Sequence, residues 1–176
     1  MQKAVTILSY PHGMVKLTWI SCFDEKLINK YVPFTQVYGV CFNKSGHILV
    51  IDEKSDGRWK IPGGTPEGTE TPEETVAREL LEEADVVLKK LYPIGAQLVE
   101  DPNNPDPAKR KHYQLRYSGI ISDLREQTPD PDTGAIYPRQ FVPKERINSV
   151  VKWGKTGEAM FADAISLYEN LVRYNI

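Results

Sequence analysis

The segment from Arg58 to Val86, RWKIPGGTPEGTETPEETVARELLEEADV, constrains the fold most because it contains a clearly marked helix start. Thr71 can serve as the N-cap, Pro72 suits the first helical position, and Glu74 can complete a capping box with Thr71. The proline and two glycines of the preceding IPGG stretch separate this helix from an extended piece upstream. The sequence therefore predicts a glycine turn and then a helix starting at Thr71 and Pro72.

Three acidic side chains share one face of this predicted helix. Glu79, Glu82 and Glu83 stand at i, i+3 and i+4, so their carboxylates project in nearly the same direction. A solvated helix face is one interpretation, but such a face usually alternates acids with lysine or arginine, and here the helix has only Arg78. The other side of the helix is predicted to be apolar, with Val76, Ala77, Leu80, Leu81 and Ala84.

A metal site is the second interpretation of the acidic face. Hard divalent cations such as Mg²⁺ take oxygen ligands, and they are often bound by carboxylates together with substrate phosphates. The carboxylates lie close in sequence to a glycine turn whose carbonyl oxygens are open. This combination favours a magnesium site over a merely solvated surface.

The spacing of the segment also resembles a known motif. Gly64, then Glu70, then the run Arg78–Val86 is similar to the Nudix box of the Nudix hydrolases. One fixed position differs, because Asp85 stands where the family has glycine near the helix end. Aspartate tolerates the left-handed conformation that favours glycine there, so we expect a small structural penalty and an intact metal site.

The resemblance implies a fold and an activity. The expected fold class is α/β, a Nudix-type α/β/α sandwich with a mixed β-sheet between helices. The implied reaction is Mg²⁺-dependent hydrolysis, with Mn²⁺ as an alternative ion, of a diphosphate bond by in-line attack of water on phosphorus. The implied substrates are nucleotides such as nucleoside triphosphates, ADP-ribose or nucleotide sugars, and the alternative is a Nudix-fold binding or regulatory module without turnover.

The resemblance also assigns roles to residues. It implies that the metal ligands are the carboxylates of Glu79, Glu82 and Glu83 and the carbonyl of Gly64. Arg78 and Glu70 would support the ligands from behind. An arginine beside three carboxylates can orient one of them and reduce their mutual repulsion, in agreement with that role.

The general base is not settled by the motif. Glu79 is favoured, because the approach to Phe141, AIYPRQ, contains no acid where many family members have one. The alternative candidates are acids in the loops downstream of the box, namely Glu126, Asp130, Asp132 and Glu145.

Residues outside the box are candidates for substrate binding. Lys109, Arg110 and Lys111 form a basic triplet that can meet phosphate, although a solvated loop would look the same. Trp59 and Tyr137 could stack on a base.

The remaining pattern predicts the order of elements. A hairpin is expected around the NKSG turn, strands in residues 86–100 and 112–122, a short strand near Phe141, and a C-terminal helix from Thr156. We expect one Nudix domain over residues 1–176, in which residues 1–35 form an extension of unclear role with one strand, GMVKLTWISC.

Composition limits the partners. The 176 residues carry a net charge of -2, so a general attraction to nucleic acid or to an anionic membrane is not expected. Two cysteines without CxxC spacing fit a reducing cytoplasm. The expected partner is a small nucleotide-type substrate, and a homodimer is left open.

Overall fold

A mixed β-sheet forms the centre of the computed structural model, which describes residues 4–174. The strands are β1 Val5–Tyr10, β2 Gly13–Ser21, β3 Phe34–Phe42, β4 His47–Ile51, β5 Gly63–Gly64, β6 Val86–Leu88, β7 Tyr92–Glu100, β8 Lys111–Leu124 and β9 Arg139–Pro143. The helices are α1 Glu25–Ile28, α2 Pro72–Ala84, α3 Ile147–Val150 and α4 Gly154–Tyr174.

The sheet has the order β1-β2-β7-β8-β3-β4-β9, and the short strands β5 and β6 pair with β3 and β8. Strands β3 and β8 run parallel, whereas the other described pairs run antiparallel. The sheet is therefore mixed, as predicted.

Helices cover both faces of the sheet. Helix α2 packs on one face through Val76, Leu80 and Ala84, together with buried residues of β3, β7 and β8. Helix α4 packs on the other face through a second buried cluster that includes Met160 and Phe161. This arrangement confirms the predicted α/β/α sandwich, and it explains why each helix is apolar along one stripe.

The start of α2 follows its sequence signals. The Thr71 hydroxyl accepts a hydrogen bond from the Glu74 backbone N–H, and the Glu74 carboxylate accepts one from the Thr71 N–H, which completes the capping box. The predicted apolar face was partly wrong, because Ala77 and Leu81 are exposed. Glu83 is buried in their place, because the acidic edge of the helix turns toward β5, the strand Gly63–Gly64, which we call the glycine strand.

The N-terminal residues are part of the sheet. The predicted strand GMVKLTWISC corresponds to β2, which pairs with β7, and the preceding strand β1 was not predicted. The hairpin around NKSG is present as β3 and β4, with Gly46 at a φ of 78°. The C-terminal helix begins at Gly154, two residues before Thr156.

Pairing of β5 with β3 positions the glycine turn beside α2. Val37 pairs with Gly64 and Tyr38 with Gly63. A Cβ at Gly63 would lie 2.3 Å from the Val37 carbonyl oxygen, and its φ of 145° is unfavourable for other residues. Glycine is therefore required for this close approach of the two backbones.

Within residues 4–174, none of the helices is long and apolar enough to span a membrane.

Candidate active site

The Glu79 carboxylate packs directly against the glycine strand. A Cβ added to Gly64 would lie 2.2 Å from Glu79 Oε1, so glycine leaves the space that this carboxylate fills. The Glu79 side chain is only 13% exposed. The sequence-predicted pair of Gly64 and Glu79 is thus brought together at one point.

Arg78 ties the acidic residues of the box to one another. Its Nε donates to Glu70 Oε1 at 2.8 Å and its Nη2 to Glu70 Oε2 at 3.2 Å, which is a bidentate arrangement. Its Nη1 donates to Glu82 Oε2 at 2.8 Å, and Nη2 also reaches the Thr65 carbonyl. The Arg78 hydrogen bonds lower the pKa of Glu70 to about 2. Arg78 therefore contacts the residues that the resemblance places around it.

A second basic residue neutralises the third acid. Lys60 Nζ donates to Glu83 Oε1 at 3.1 Å and lies 2.6 Å from Glu53 Oε2. Glu83 Oε2 also accepts the Gly63 backbone N–H at 2.7 Å. Burial raises the pKa of Glu83, and the positive charge of Lys60 opposes this increase. Lys60 thus stabilises a carboxylate that lies mostly inside the protein.

The three box carboxylates do not surround one point. No group of three His, Cys, Asp or Glu side chains among residues 4–174 is placed so that it could hold a metal ion. The reason lies in their partners, because Arg78 holds Glu82 while Lys60 and the Gly63 N–H hold Glu83. The donor set still fits a hard divalent ion in its chemistry, since it consists of carboxylates with the open backbone of Gly64 beside them.

Glu79 receives less neutralisation than its neighbours. Burial raises its pKa to about 7, and the nearby Glu83 charge adds to the rise, while Arg78 opposes it. The Arg78 Nη1 to Glu79 Oε1 distance is 3.1 Å. Glu79 is therefore a carboxyl group that can take up or release a proton near neutral pH.

Asp85 ends α2 in the left-handed conformation, at φ 50° and ψ 47°, and its N–H donates to the carbonyls of Leu80 and Leu81. This is the conformation that the sequence predicted. Its side chain is buried, and the carboxylate accepts the Thr128 N–H at 2.7 Å and the Thr128 hydroxyl at 3.0 Å. Asp85 therefore joins the helix end to the loop that follows β8.

The downstream acids lie in different settings. Glu126, Asp132 and Glu145 are exposed. Asp130 is buried, and its Oδ1 accepts the N–H groups of Asp132 and Thr133, so it organises its own loop. Glu79 is the one base candidate whose carboxylate lies against the glycine strand.

The predicted substrate-binding residues are dispersed. Lys109, Arg110 and Lys111 are exposed, and Lys109 lines a cavity of about 610 Å³ together with Thr65, which follows the glycine strand. Trp59 is half-buried against the α4-side core.

Tyr137 lies in the hydrophobic core on the α2 side of the sheet. It is 5% exposed, and its hydroxyl is 2.8 Å from the Thr133 hydroxyl. Its ring would have to leave the core to stack on a base.

Sequence reasoning missed Lys60, Glu53 and the contact between Asp85 and Thr128. The signal for Lys60 was available, because it lies three residues before the glycine pair and an isolated lysine near an acidic helix is a natural partner. Glu53 and Thr128 approach through strand pairing and loop closure, which no local pattern encodes.

Comparison with known proteins identifies the box and its surroundings as one domain type. A model of the NUDIX domain matches residues 33–162. A MutT-like protein of Streptomyces ambofaciens is 44% identical over 50 residues, which are 28% of this chain and 32% of that protein. The match therefore spans about a third of the length of this relative.

Solved structures share the fold. A NUDIX hydrolase from Listeria monocytogenes matches with a TM-score of 0.58 and 17% identity over 78% of this chain and 96% of that chain. The pyrophosphohydrolase BsRppH of Bacillus subtilis matches with a TM-score of 0.53 and 20% identity over 77% of this chain and 76% of that chain. At these identities the likeness concerns the fold.

Replacing Asp85 by glycine tests the anchor between α2 and the following loop. Glycine would relieve the left-handed backbone by about 1 kcal/mol, but each of the two lost hydrogen bonds to the carboxylate contributes about 1.5–3 kcal/mol. We expect a net loss of stability in urea unfolding and faster hydrogen exchange at the Thr128 amide. Asp85→Asn keeps one oxygen acceptor, so its stability should lie between that of the wild type and that of Asp85→Gly. Unchanged hydrogen exchange at the Thr128 amide in Asp85→Gly would disprove the anchor.

The raised pKa of Glu79 predicts a pH dependence in metal-free buffer. The folded protein favours the protonated Glu79 carboxyl. This group therefore stabilises the fold fully below its unfolded-state pKa of 4.5, and the stabilisation is lost as the pH rises through about 7. In thermal unfolding in EDTA, the free energy of unfolding of Glu79→Gln should rise relative to that of the wild type as the pH increases over this range, by up to about 3 kcal/mol. The exposed Glu158→Gln on α4 is the matched control, and a constant difference for Glu79→Gln would refute the prediction.

Proposed function

The chain belongs to the Nudix family of hydrolases, whose domain model covers residues 33–162, and we propose that it hydrolyses a diphosphate bond in a nucleotide with the help of Mg²⁺. The proposed substrates are nucleoside diphosphates linked to another group, such as nucleoside triphosphates, ADP-ribose or nucleotide sugars. The observation that carries this proposal is the contact between Glu79 and Gly64 beside two further box carboxylates. Mn²⁺ is the alternative ion.

The residues that would hold the ion are Glu79, Glu82, Glu83 and the Gly64 carbonyl. When bound, Mg²⁺ supplies positive charge that neutralises the diphosphate and activates water for in-line attack on phosphorus. Arg78 and Glu70 would keep Glu82 oriented through the hydrogen bonds already present. Lys60 would keep Glu83 ionised inside the protein.

We propose Glu79 as the base that takes the proton of the attacking water. Its carboxylate is largely shielded from solvent and lies against the glycine strand. Glu126, Asp132 and Glu145 are exposed alternatives, and Asp130 already accepts hydrogen bonds from its own loop.

Several expectations accompany this function as proposals. Strands β1 and β2 continue the central sheet, which supports one Nudix domain that includes the N-terminal residues. Two unpaired, buried cysteines, Cys22 and Cys41, support a cytoplasmic location. Lys109, Arg110, Lys111 and Trp59 remain proposed substrate contacts, and Tyr137 would need to leave the core to join them.

The alternative function is a Nudix-fold module that binds a nucleotide without turnover. Such a chain would be expected to have lost acids from the box, whereas Glu79, Glu82 and Glu83 are all present.

A substrate panel decides between the two functions. Purified protein with Mg²⁺ should release a phosphate product from at least one of nucleoside triphosphates, ADP-ribose, nucleotide sugars and dinucleoside polyphosphates. Glu82→Gln and Glu83→Gln should lower kcat by about 100-fold or more while circular dichroism shows intact folding. Glu158→Gln should keep the wild-type rate. Absence of product from every compound would favour the binding module, and near-normal rates in both box variants would overturn the metal assignment.

Magnesium should also stabilise the folded protein. The acidic face repels itself, so an ion that binds the folded state raises the free energy of unfolding, by about 2.7 kcal/mol at a concentration of 100 Kd. Differential scanning calorimetry should show a higher melting temperature in millimolar Mg²⁺ than in NaCl of equal ionic strength. The increase should shrink in Glu82→Gln, and an equal increase with NaCl would show charge screening alone.

A further inference from the structure

A second concave region lies on the α4 side of the sheet, away from the acidic face of α2. Its volume is about 600 Å³, and it lies between the N-terminal hairpin and the loop that leads into α4. We call it the Arg116 pocket. The lining residues that matter below are Tyr38, Gln97, Gln114, Arg116, Lys152 and Trp153.

Arg116 is buried in this pocket without an acidic partner. It is 2% exposed, its Nη2 donates to Gln114 Oε1 at 2.9 Å, and its Nη1 donates to the Leu115 carbonyl at 3.1 Å. Among residues 4–174, its Nε has no hydrogen-bond acceptor and its guanidinium forms no ion pair. The strongest donor in the pocket is therefore only partly satisfied.

An unpaired buried cation is energetically unfavourable. Buried charges in proteins are normally paired, because removing them from water costs several kcal/mol per ion. Burial lowers the pKa of Arg116 to about 10, which still leaves it charged at neutral pH. The Tyr38 ring, 4.3 Å from the guanidinium carbon, and the Trp153 ring, at 5.9 Å, offset part of this cost, but neither ring carries a negative charge that could pair with the arginine.

The one acidic residue that lines the pocket lies at its opposite end. Arg116 pairs with Gly95 on β7, whereas Asp101 follows the end of that strand, about 20 Å further along the chain. The Asp101 carboxylate is already bonded to His12 and Asn104. It does not compensate Arg116, and Lys152 adds a further positive charge to the lining.

We propose that the Arg116 pocket binds an anionic group carried by a small molecule with an aromatic or apolar body. The anionic group would pair with the guanidinium, while Tyr38 and Trp153 offer ring surfaces to the body of the ligand. The volume suits a whole small molecule and far exceeds the needs of a single phosphate or carboxylate.

Two sources could supply this anionic group. Tyr38 separates the pocket from the candidate active site, because its Cα lies 2.5 Å from the Cβ that Gly63 lacks, while its ring covers Arg116. The group could therefore be the far end of the substrate or belong to a separate ligand. Binding itself does not depend on the proposed hydrolysis.

Calorimetric titration with phenyl phosphate and phenol tests the proposal, since the two compounds share a ring and differ in the anionic group. In EDTA, the wild type should bind phenyl phosphate at least about tenfold more tightly than phenol, a preference worth about 1.4 kcal/mol. Arg116→Met should abolish the preference and Arg116→Lys should retain part of it. No preference in the wild type, or the same preference in Arg116→Met, would overturn the proposal.

A stability measurement separates binding from a structural role. If Arg116 is kept for a ligand, the ligand-free Arg116→Met protein should melt at or above the wild-type temperature, because an apolar side chain of similar size removes the uncompensated charge. A large decrease in melting temperature, together with no phenyl phosphate preference in the wild type, would assign Arg116 to the fold alone.

A turnover assay with the best panel substrate identifies the source of the anion. If phenyl phosphate raises KM in the wild type but not in Arg116→Met, the pocket holds the far end of the substrate. If KM is unchanged while binding still depends on Arg116, the pocket holds a separate anionic ligand. Failure of the substrate panel would leave the calorimetric result standing, because that titration contains no metal and requires no catalysis.

Discussion

The close approach of carboxylates on α2 to the glycine strand is the constraint on which the candidate site depends. Each of two cations spans two acids, since Arg78 joins Glu70 to Glu82 and Lys60 joins Glu53 to Glu83. Glu79 lies between these pairs with less compensation. The face is therefore partly neutralised without an ion, and a divalent cation would add positive charge beside Glu79, where compensation is least.

Local signals carried most of the fold prediction. A cap, a proline and a capping box define the start of α2, and a positive-φ glycine defines the β3–β4 turn, so both elements follow from a few neighbouring residues. Strand β1 was missed because its place depends on pairing with β2 at the edge of the sheet. The helical wheel also placed Leu81 inside, because it shows direction around one helix but not which neighbours cover it.

In the candidate site, too, local sequence signals were predictable and contacts between distant segments were not. The resemblance to the Nudix box implied that Glu79 and Gly64 belong to one site, and the structure places the Glu79 carboxylate against Gly64. Spacing could not predict that Lys60 would pair with Glu83, since their approach requires β5 to lie beside both β3 and the helix. At Asp85 the backbone conformation was predictable from one residue. Its bonds to Thr128, 43 positions later, depend on the folded loop.

The net charge of -2 is small, but two separate regions each carry an unbalanced local charge. On one side of Tyr38 an excess of carboxylates faces the glycine strand, and on the other side Arg116 carries a positive charge that no described acid pairs with. The two charges cannot neutralise each other, because the sheet and the tyrosine ring keep them apart. Each is therefore best satisfied from outside the chain, the acids by a cation and the arginine by an anion. A phosphate-bearing ligand that extends past Tyr38 would pair with the arginine, and a divalent cation bound to its phosphates would neutralise the acids.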